Sequence, residues 1–288
     1  MTADLRERGK IRRIVVAIDA SKHSLAGLEA AVDLARQLDA DLTGLFIEDI
    51  NLLRLAEIPN SYQVGRLSLA RKRLSQEEVR RQLSTQRSWA YEALESLCHG
   101  HGLRWSFQVE RGSILAELTR ATDEADLTIL GKSGWSDTRL VGSTAQALLA
   151  HSGGLTLILR EGVRLGRSVM ALLDNSDASW EALEIASALP MAKGRKLVLM
   201  LLADSRQSAT AMEKEIRSWN QGRGFDLTYL RTQEPHPLIV CSTARTESSG
   251  ILVIPREIQG FSDDDLAEVL NQITCPVLFV GSPAQAVH

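Results

Sequence analysis

The residues best suited to chemistry lie in the stretch LGKSGWSDTRLVGST, from Leu130 to Thr144. Gly131, Gly134 and Gly142 stand between an apolar run and a predicted helix that begins near Ser143 and Thr144. The free N–H groups and the positive dipole end of a helix start favour an anion, and glycine lets a phosphate approach the backbone closely. This stretch therefore indicates a phosphate-binding loop.

The letters GKS within this stretch do not form a Walker A loop. That motif needs a glycine five residues before its Gly-Lys pair, so that backbone N–H groups surround the β-phosphate. The position is occupied by Asp126, at the start of the predicted strand. The stretch could still be a glycine loop of another kind, and the rest of the chain has to decide this.

The composition is that of an ordinary globular protein. The 288 residues, 44% hydrophobic and 24% charged, suit two domains of about 140 residues each. No apolar run approaches the ~20 residues that span a bilayer, and the first residues lack an apolar signal region. We therefore expect a cytoplasmic protein without membrane insertion. A net charge of −3 gives no reason to expect nucleic-acid binding.

Neither the cysteines nor the histidines form a metal motif. Cys98, Cys241 and Cys275 are isolated, which argues against disulfides and zinc and predicts buried apolar roles. His99 and His101 have a chelating spacing but no visible third ligand, and the glycines beside them are typical of a helix end. We expect no metal site of the protein's own.

An internal repeat organises the chain. At a constant offset of 155 residues, segment 13–49 matches segment 168–204 with nine identities in 37 positions, among them Asp19 with Asp174. Both copies read as an apolar run ending in Asp-x-Ser and followed by a helix. We predict two domains, 1–162 and 163–288, around a polar linker at 161–167.

Apolar runs alternate with helical patterns in each copy, which predicts two repeated, doubly wound, five-stranded parallel sheets of the Rossmann-like α/β class. The predicted strands are 14–18, 41–48, 104–110, 127–130 and 155–159, then 168–173, 196–202, 226–231, 251–255 and 277–280. The predicted helices are 22–38, 76–98, one from Ser113, 144–151, 177–189, 206–220, 236–245 and 262–273. Ligands of such sheets bind beyond the carboxyl ends of the strands, where Asp19 and Gly131 belong.

The order VVAIDAS, LFIED, LTILGKSG and GSTAQALL resembles a domain of the universal stress protein family, which has a nucleotide-binding α-hydrolase-like fold, and the duplication resembles its tandem form. The resemblance covers essentially the whole chain. It implies that ATP, with Mg²⁺, binds in the first half. The positions it implies for ribose, adenine and phosphates are Asp19, the backbone of Ile47, Gly131, Gly134, Gly142, Ser143 and Thr144.

The chain departs from the family's ATP-binding pattern in both halves. Seven residues separate Gly134 from Gly142 where the pattern has nine, which shortens the loop by up to roughly 7 Å. Trp135 either stacks on a ligand or fills the cavity. After the strand at 251–255 the second half has a single glycine and three consecutive aspartates, which would repel phosphate. We expect no ATP there and a structural role, with the halves packing through edge or fifth strands.

Several features also have purely structural interpretations. Ser143 and Gln146 form a possible capping box, and Asp19 is placed to cap the first helix. Segment 66–87 carries seven basic and two acidic residues, a local charge of +5. A solvated extension explains it, and the alternative is a partner-binding surface.

Two functions follow from the resemblance, both in the stress response. The first is a regulator that senses an adenine nucleotide in its first half and passes the signal to a protein partner. The second is an interaction scaffold that binds no nucleotide and acts through the tandem pair of domains and through segment 66–87. The pair is an internal pseudo-dimer, and a homodimer of the whole chain is possible in addition. No catalytic motif is present, so we expect no enzyme and at most slow ATP hydrolysis.

Overall fold

The computed structural model describes residues 11–58, 62–64, 71–73, 75–131, 154–159, 162–166, 168–190, 194 and 196–281. Its main feature is one ten-stranded sheet built from two halves. Within the described residues, none of the helices combines the length and the apolar character that crossing a lipid bilayer requires.

The amino-terminal half contributes five parallel strands in the order β7–β6–β1–β2–β5. These strands are β1 (Arg13–Ala17), β2 (Asp41–Asp49), β5 (Trp105–Gly112), β6 (Leu127–Gly131) and β7 (Leu155–Leu159). A separate antiparallel hairpin pairs β3 (Tyr62–Val64) with β4 (Arg71–Arg73). The described helices of this half are α1 (Lys22–Leu38), α2 (Ile50–Glu57), α3 (Gln76–Cys98) and α4 (Ile114–Glu124).

The carboxy-terminal half repeats this arrangement in the order β10–β9–β8–β11–β12. Its strands are β8 (Val169–Leu173), β9 (Lys196–Leu202), β10 (Asp226–Thr232), β11 (Ile251–Pro255) and β12 (Val277–Val280). Its helices are α5 (Asp177–Ala188), α6 (Arg206–Asn220), α7 (Pro237–Thr246) and α8 (Asp263–Gln272). The predicted fold class is confirmed, and most predicted elements agree with these bounds to within two residues.

The two halves join through their fifth strands. β12 pairs with β7 in antiparallel orientation, from Val277 opposite Ile158 to Val280 opposite Leu155. This pairing turns two five-stranded sheets into one. The sequence predicted packing through edge or fifth strands, and the structure uses the fifth strands. The division at residues 162 and 163 remains a prediction.

The 155-residue repeat is visible in backbone detail. Ala20 and Asn175, which correspond at that offset, both adopt a left-handed conformation, with φ of 59° and 68°. The serine that follows each caps its helix: Ser21 accepts a hydrogen bond from the Ser24 N–H at 3.1 Å, and its counterpart does the same at 3.2 Å. Sequence identity at this offset therefore reflects two copies of one strand-turn-helix unit.

The central strands are buried, as a sheet covered on both faces requires. All five residues of β8 and of β11 are buried. Thr128 on β6 and Thr156 on β7 interrupt this apolar core. They lie side by side in the sheet register and are fully buried, and none of the described residues forms a hydrogen bond with their hydroxyl groups. Because a buried hydroxyl without a partner costs about 1–3 kcal/mol, this pair lowers the stability of the first half.

A contact between two glycines fixes the start of the second half. The Gly166 N–H donates to the Gly250 carbonyl at 3.2 Å, and the Gly250 N–H donates to the Ser168 carbonyl at 2.9 Å. A Cβ atom on Gly250 would lie 2.4 Å from the backbone of Gly166. The close approach therefore requires glycine at both positions.

The structure contains three short elements that the sequence did not predict. α2 follows β2 directly, and the β3–β4 hairpin lies between α2 and α3. For segment 66–87 the sequence predicts a loop-helix extension, and within it Arg71–Arg73 form the short strand β4 instead. Whether the segment is solvated or binds a partner stays a prediction. Three-residue strands are too short to produce a detectable alternation of apolar and polar residues.

Candidate functional site

Three of the predicted site residues lie at the same edge of the first sheet half. Asp19 follows the end of β1, Ile47 lies near the end of β2, and Gly131 is the last residue of β6. β1 lies between β6 and β2, and all three run in parallel. Parallel topology therefore brings these residues to one carboxyl edge, where ligands of such sheets bind.

Asp19 holds the turn into α1 with only one of its carboxylate oxygens. Its Oδ1 accepts a hydrogen bond from the Ser21 N–H at 3.0 Å, and Ser21 is the residue that caps the helix. Across the described part of the chain, no hydrogen bond reaches the Oδ2 atom of Asp19. The side chain is half-buried. Within the described residues, the carboxylate therefore keeps one oxygen that accepts no hydrogen bond.

The corresponding Asp174 has both oxygens occupied. Its Oδ1 accepts from the Ser176 N–H at 3.0 Å and from the Ser176 hydroxyl at 2.5 Å. Its Oδ2 accepts from the Gln259 N–H at 2.7 Å. Burial disfavours the charged form of Asp174, but these hydrogen bonds outweigh burial and hold its pKa below the usual range.

The segment that supplies Gln259 closes this end of the second half. It follows β11, in the place where the first half has its glycine loop. Gly260 has φ of 81°, and a Cβ atom there would lie 2.4 Å from the Pro235 side chain. Ser262 then starts α8 through a capping box with Asp265. Backbone and acidic side chains thus fill the start of α8 and the space beside Asp174.

The glycine at the end of β6 is explained by packing. A Cβ atom on Gly131 would lie 2.9 Å from the carbonyl carbon of His23, in the first turn of α1. Glycine here lets β6 end directly against that turn. This requirement exists without any ligand, so Gly131 by itself is weak evidence for a nucleotide.

Ile47 is half-buried on the face of β2 that packs toward α4. It pairs in register with Glu110 of β5. Its backbone therefore lies at the same edge as Asp19, on the neighbouring strand.

Gly134, Gly142, Ser143 and Thr144 lie outside the described residues, as do Trp135 and the predicted helix 144–151. Their roles remain predictions.

The cysteines have the apolar environment that the sequence predicted. Cys98 and Cys241 are buried and Cys275 is half-buried, and none of the three forms a disulfide. Burial raises the pKa of Cys98 to about 11 and that of Cys275 to about 12. Both thiols are therefore protonated at neutral pH.

The histidines near the end of α3 do not gather a metal site. The glycines beside them, Gly100 and Gly102, adopt left-handed conformations with φ of 78° and 64°, as the end of a helix often does. His99 and His101 are exposed. Among the residues that the structure describes, no group of three or more histidine, cysteine or carboxylate side chains is placed to hold a metal ion.

The one residue of this region that sequence reasoning missed is Gln259. Its backbone N–H, not its side chain, closes the Asp174 carboxylate, and it lies 85 residues away along the chain. No local sequence pattern signals such a contact.

The basic segment 66–87 lies partly on α3, where Arg80 and Arg81 are exposed.

The fold defines a doubly wound α/β protein in which one five-stranded parallel unit occurs twice. Residues 10–160 match the model of the universal stress protein family. The chain belongs to this family. No curated protein sequence matches it.

Solved structures with similar folds cover nearly the whole chain. A universal stress protein from Archaeoglobus fulgidus DSM 4304 is 15% identical, with a TM-score of 0.71, and the match covers 93% of this chain and 98% of that one. A Pseudomonas aeruginosa UCBPP-PA14 protein described as a universal stress protein is 18% identical, with a TM-score of 0.60 and coverage of 95% and 94%. The cytoplasmic domain of a prokaryotic cation chloride cotransporter is 12% identical, with a TM-score of 0.52 and coverage of 95% and 96%. At these identities the likeness supports the tandem fold alone.

Proposed function

We propose that this stress-response protein binds one adenine nucleotide, ATP with Mg²⁺, in its amino-terminal half, and that its carboxy-terminal half binds none. The observation that carries the proposal is the difference between the two equivalent aspartates. Asp19 keeps one carboxylate oxygen without a hydrogen bond from the described residues, whereas Asp174 has both oxygens occupied by the chain itself. Of these two carboxylates, only that of Asp19 keeps an oxygen to which the described residues donate no hydrogen bond, and this oxygen supports a ligand in the first half.

The residues present fit the nucleoside end of the ligand. A carboxylate oxygen at the sheet edge suits a ribose hydroxyl, which donates a hydrogen bond to it. The backbone of Ile47, on the adjacent strand, suits the edge of adenine. The phosphates would meet the glycine loop at Gly134 and Gly142 and the helix start at Ser143. The assignment of the phosphates to these residues comes from the family resemblance.

We expect nucleotide binding to serve regulation and not catalysis. Asp19 accepts from the Ser21 backbone and has no histidine or second carboxylate bonded to it among the described residues. Rapid hydrolysis would need a group that orients the attacking water and a cation that stabilises the transferring phosphoryl group. Bound nucleotide would instead change how the first half presents its surface to a protein partner.

The experiment combines mass spectrometry of purified protein with a thermal-shift titration of Mg-ATP. We expect co-purified adenine nucleotide and a rise in melting temperature, because a ligand that binds only the folded state stabilises it. Asp19→Asn keeps the turn to Ser21, since the amide oxygen still accepts, but it removes the carboxylate. Losing one charge-assisted hydrogen bond of about 1.5–3 kcal/mol should weaken ATP binding about 10- to 150-fold.

Asp174→Asn is the matched control, because it makes the same chemical change at the equivalent position of the closed half. It should leave the response to ATP unchanged. Protein without bound nucleotide and without any thermal shift would refute the proposal. That result would favour the scaffold function, in which Arg80 and Arg81 of segment 66–87 are exposed to a partner.

A further inference from the structure

We draw no further inference here: the strongest candidate, the polar groove of about 440 Å³ between α4 and the first residues of β2 and β5, carries nothing, because its arginines Arg13, Arg104 and Arg120 already form ion pairs with carboxylates of the chain and the hydroxyl groups of its Thr43 and Ser106 bond to each other, so that nothing in the described residues shows which ligand it would hold.

Discussion

The pair of equivalent aspartates gives a stability prediction that needs no ligand. Asp174→Asn keeps the amide oxygen that accepts from Ser176, but its NH₂ group replaces the oxygen that accepts from the Gln259 N–H at 2.7 Å. The substitution removes one charge-assisted hydrogen bond and leaves two donors facing each other. Since Asp174 is half-buried, we take the lower end of the usual range and expect a loss of about 1.5 kcal/mol.

The same change at Asp19 removes no hydrogen bond from the described residues, so Asp19→Asn should alter the free energy of unfolding by less than about 0.5 kcal/mol. Urea unfolding followed by circular dichroism at pH 7, with nucleotide removed, measures both values. Equal losses at the two positions would refute the idea that one site is open and the other closed.

The pH dependence of this difference follows from the lowered pKa of Asp174. A group whose pKa is lower in the folded state stabilises the fold above its unfolded pKa, near 3.9. That contribution disappears as the pH falls through the folded-state pKa. The difference between wild type and Asp174→Asn should therefore be full at neutral pH and shrink below about pH 4. A difference that grew on acidification would contradict the assigned hydrogen bonds.

Three further predictions concern the rest of the fold. Gly250→Ala places a Cβ atom 2.4 Å from the facing backbone and should lower the free energy of unfolding in urea by about 1–3 kcal/mol. Gly194→Ala is the control, because Gly194 has open space around it, and should lower this free energy by less than about 1 kcal/mol. Equal losses in the two variants would contradict the close contact. Thr156→Val replaces a buried hydroxyl without a partner by a methyl group and should raise stability by about 1–3 kcal/mol, and a loss would show that the hydroxyl is satisfied. A thiol reagent should label Cys98 and Cys275 far more slowly in native than in unfolded protein, because burial raises their pKa values to about 11 and 12. Fast labelling of the native protein would contradict their burial.

Much of the fold was predictable because one unit occurs twice. The pattern Asp-x-Ser after an apolar run located both first strands and both first helices, and α1 and α3 have the predicted bounds, 22–38 and 76–98. α2 and the β3–β4 hairpin were missed, since eight-residue helices and three-residue strands carry little periodicity. Their positions are set by packing against α3 and by pairing with each other.

The site was predictable only in part. The strand pattern placed Asp19 and Gly131 at the carboxyl ends of their strands, the family resemblance added Ile47 near the end of the second strand, and the structure confirms that all three lie at one edge. Asp19 and Asp174 have the same local sequence pattern, so the sequence offers no basis for predicting that their carboxylates differ in hydrogen bonding. That difference depends on Gln259, whose N–H reaches Asp174 through tertiary structure. For Gly131, the sequence suggested a role in ligand binding, whereas the structure explains the glycine by its close contact with His23.

The most direct test of the central claim is the number of nucleotides bound per chain. Isothermal titration of wild-type protein with Mg-ATP, after removal of any co-purified nucleotide, measures this stoichiometry. The account predicts one site per chain, bound about 10- to 150-fold more weakly in Asp19→Asn and with unchanged affinity in Asp174→Asn. Two sites per chain would show that the Gln259 contact does not close the second half, and the absence of binding would show that the open oxygen of Asp19 serves no nucleotide.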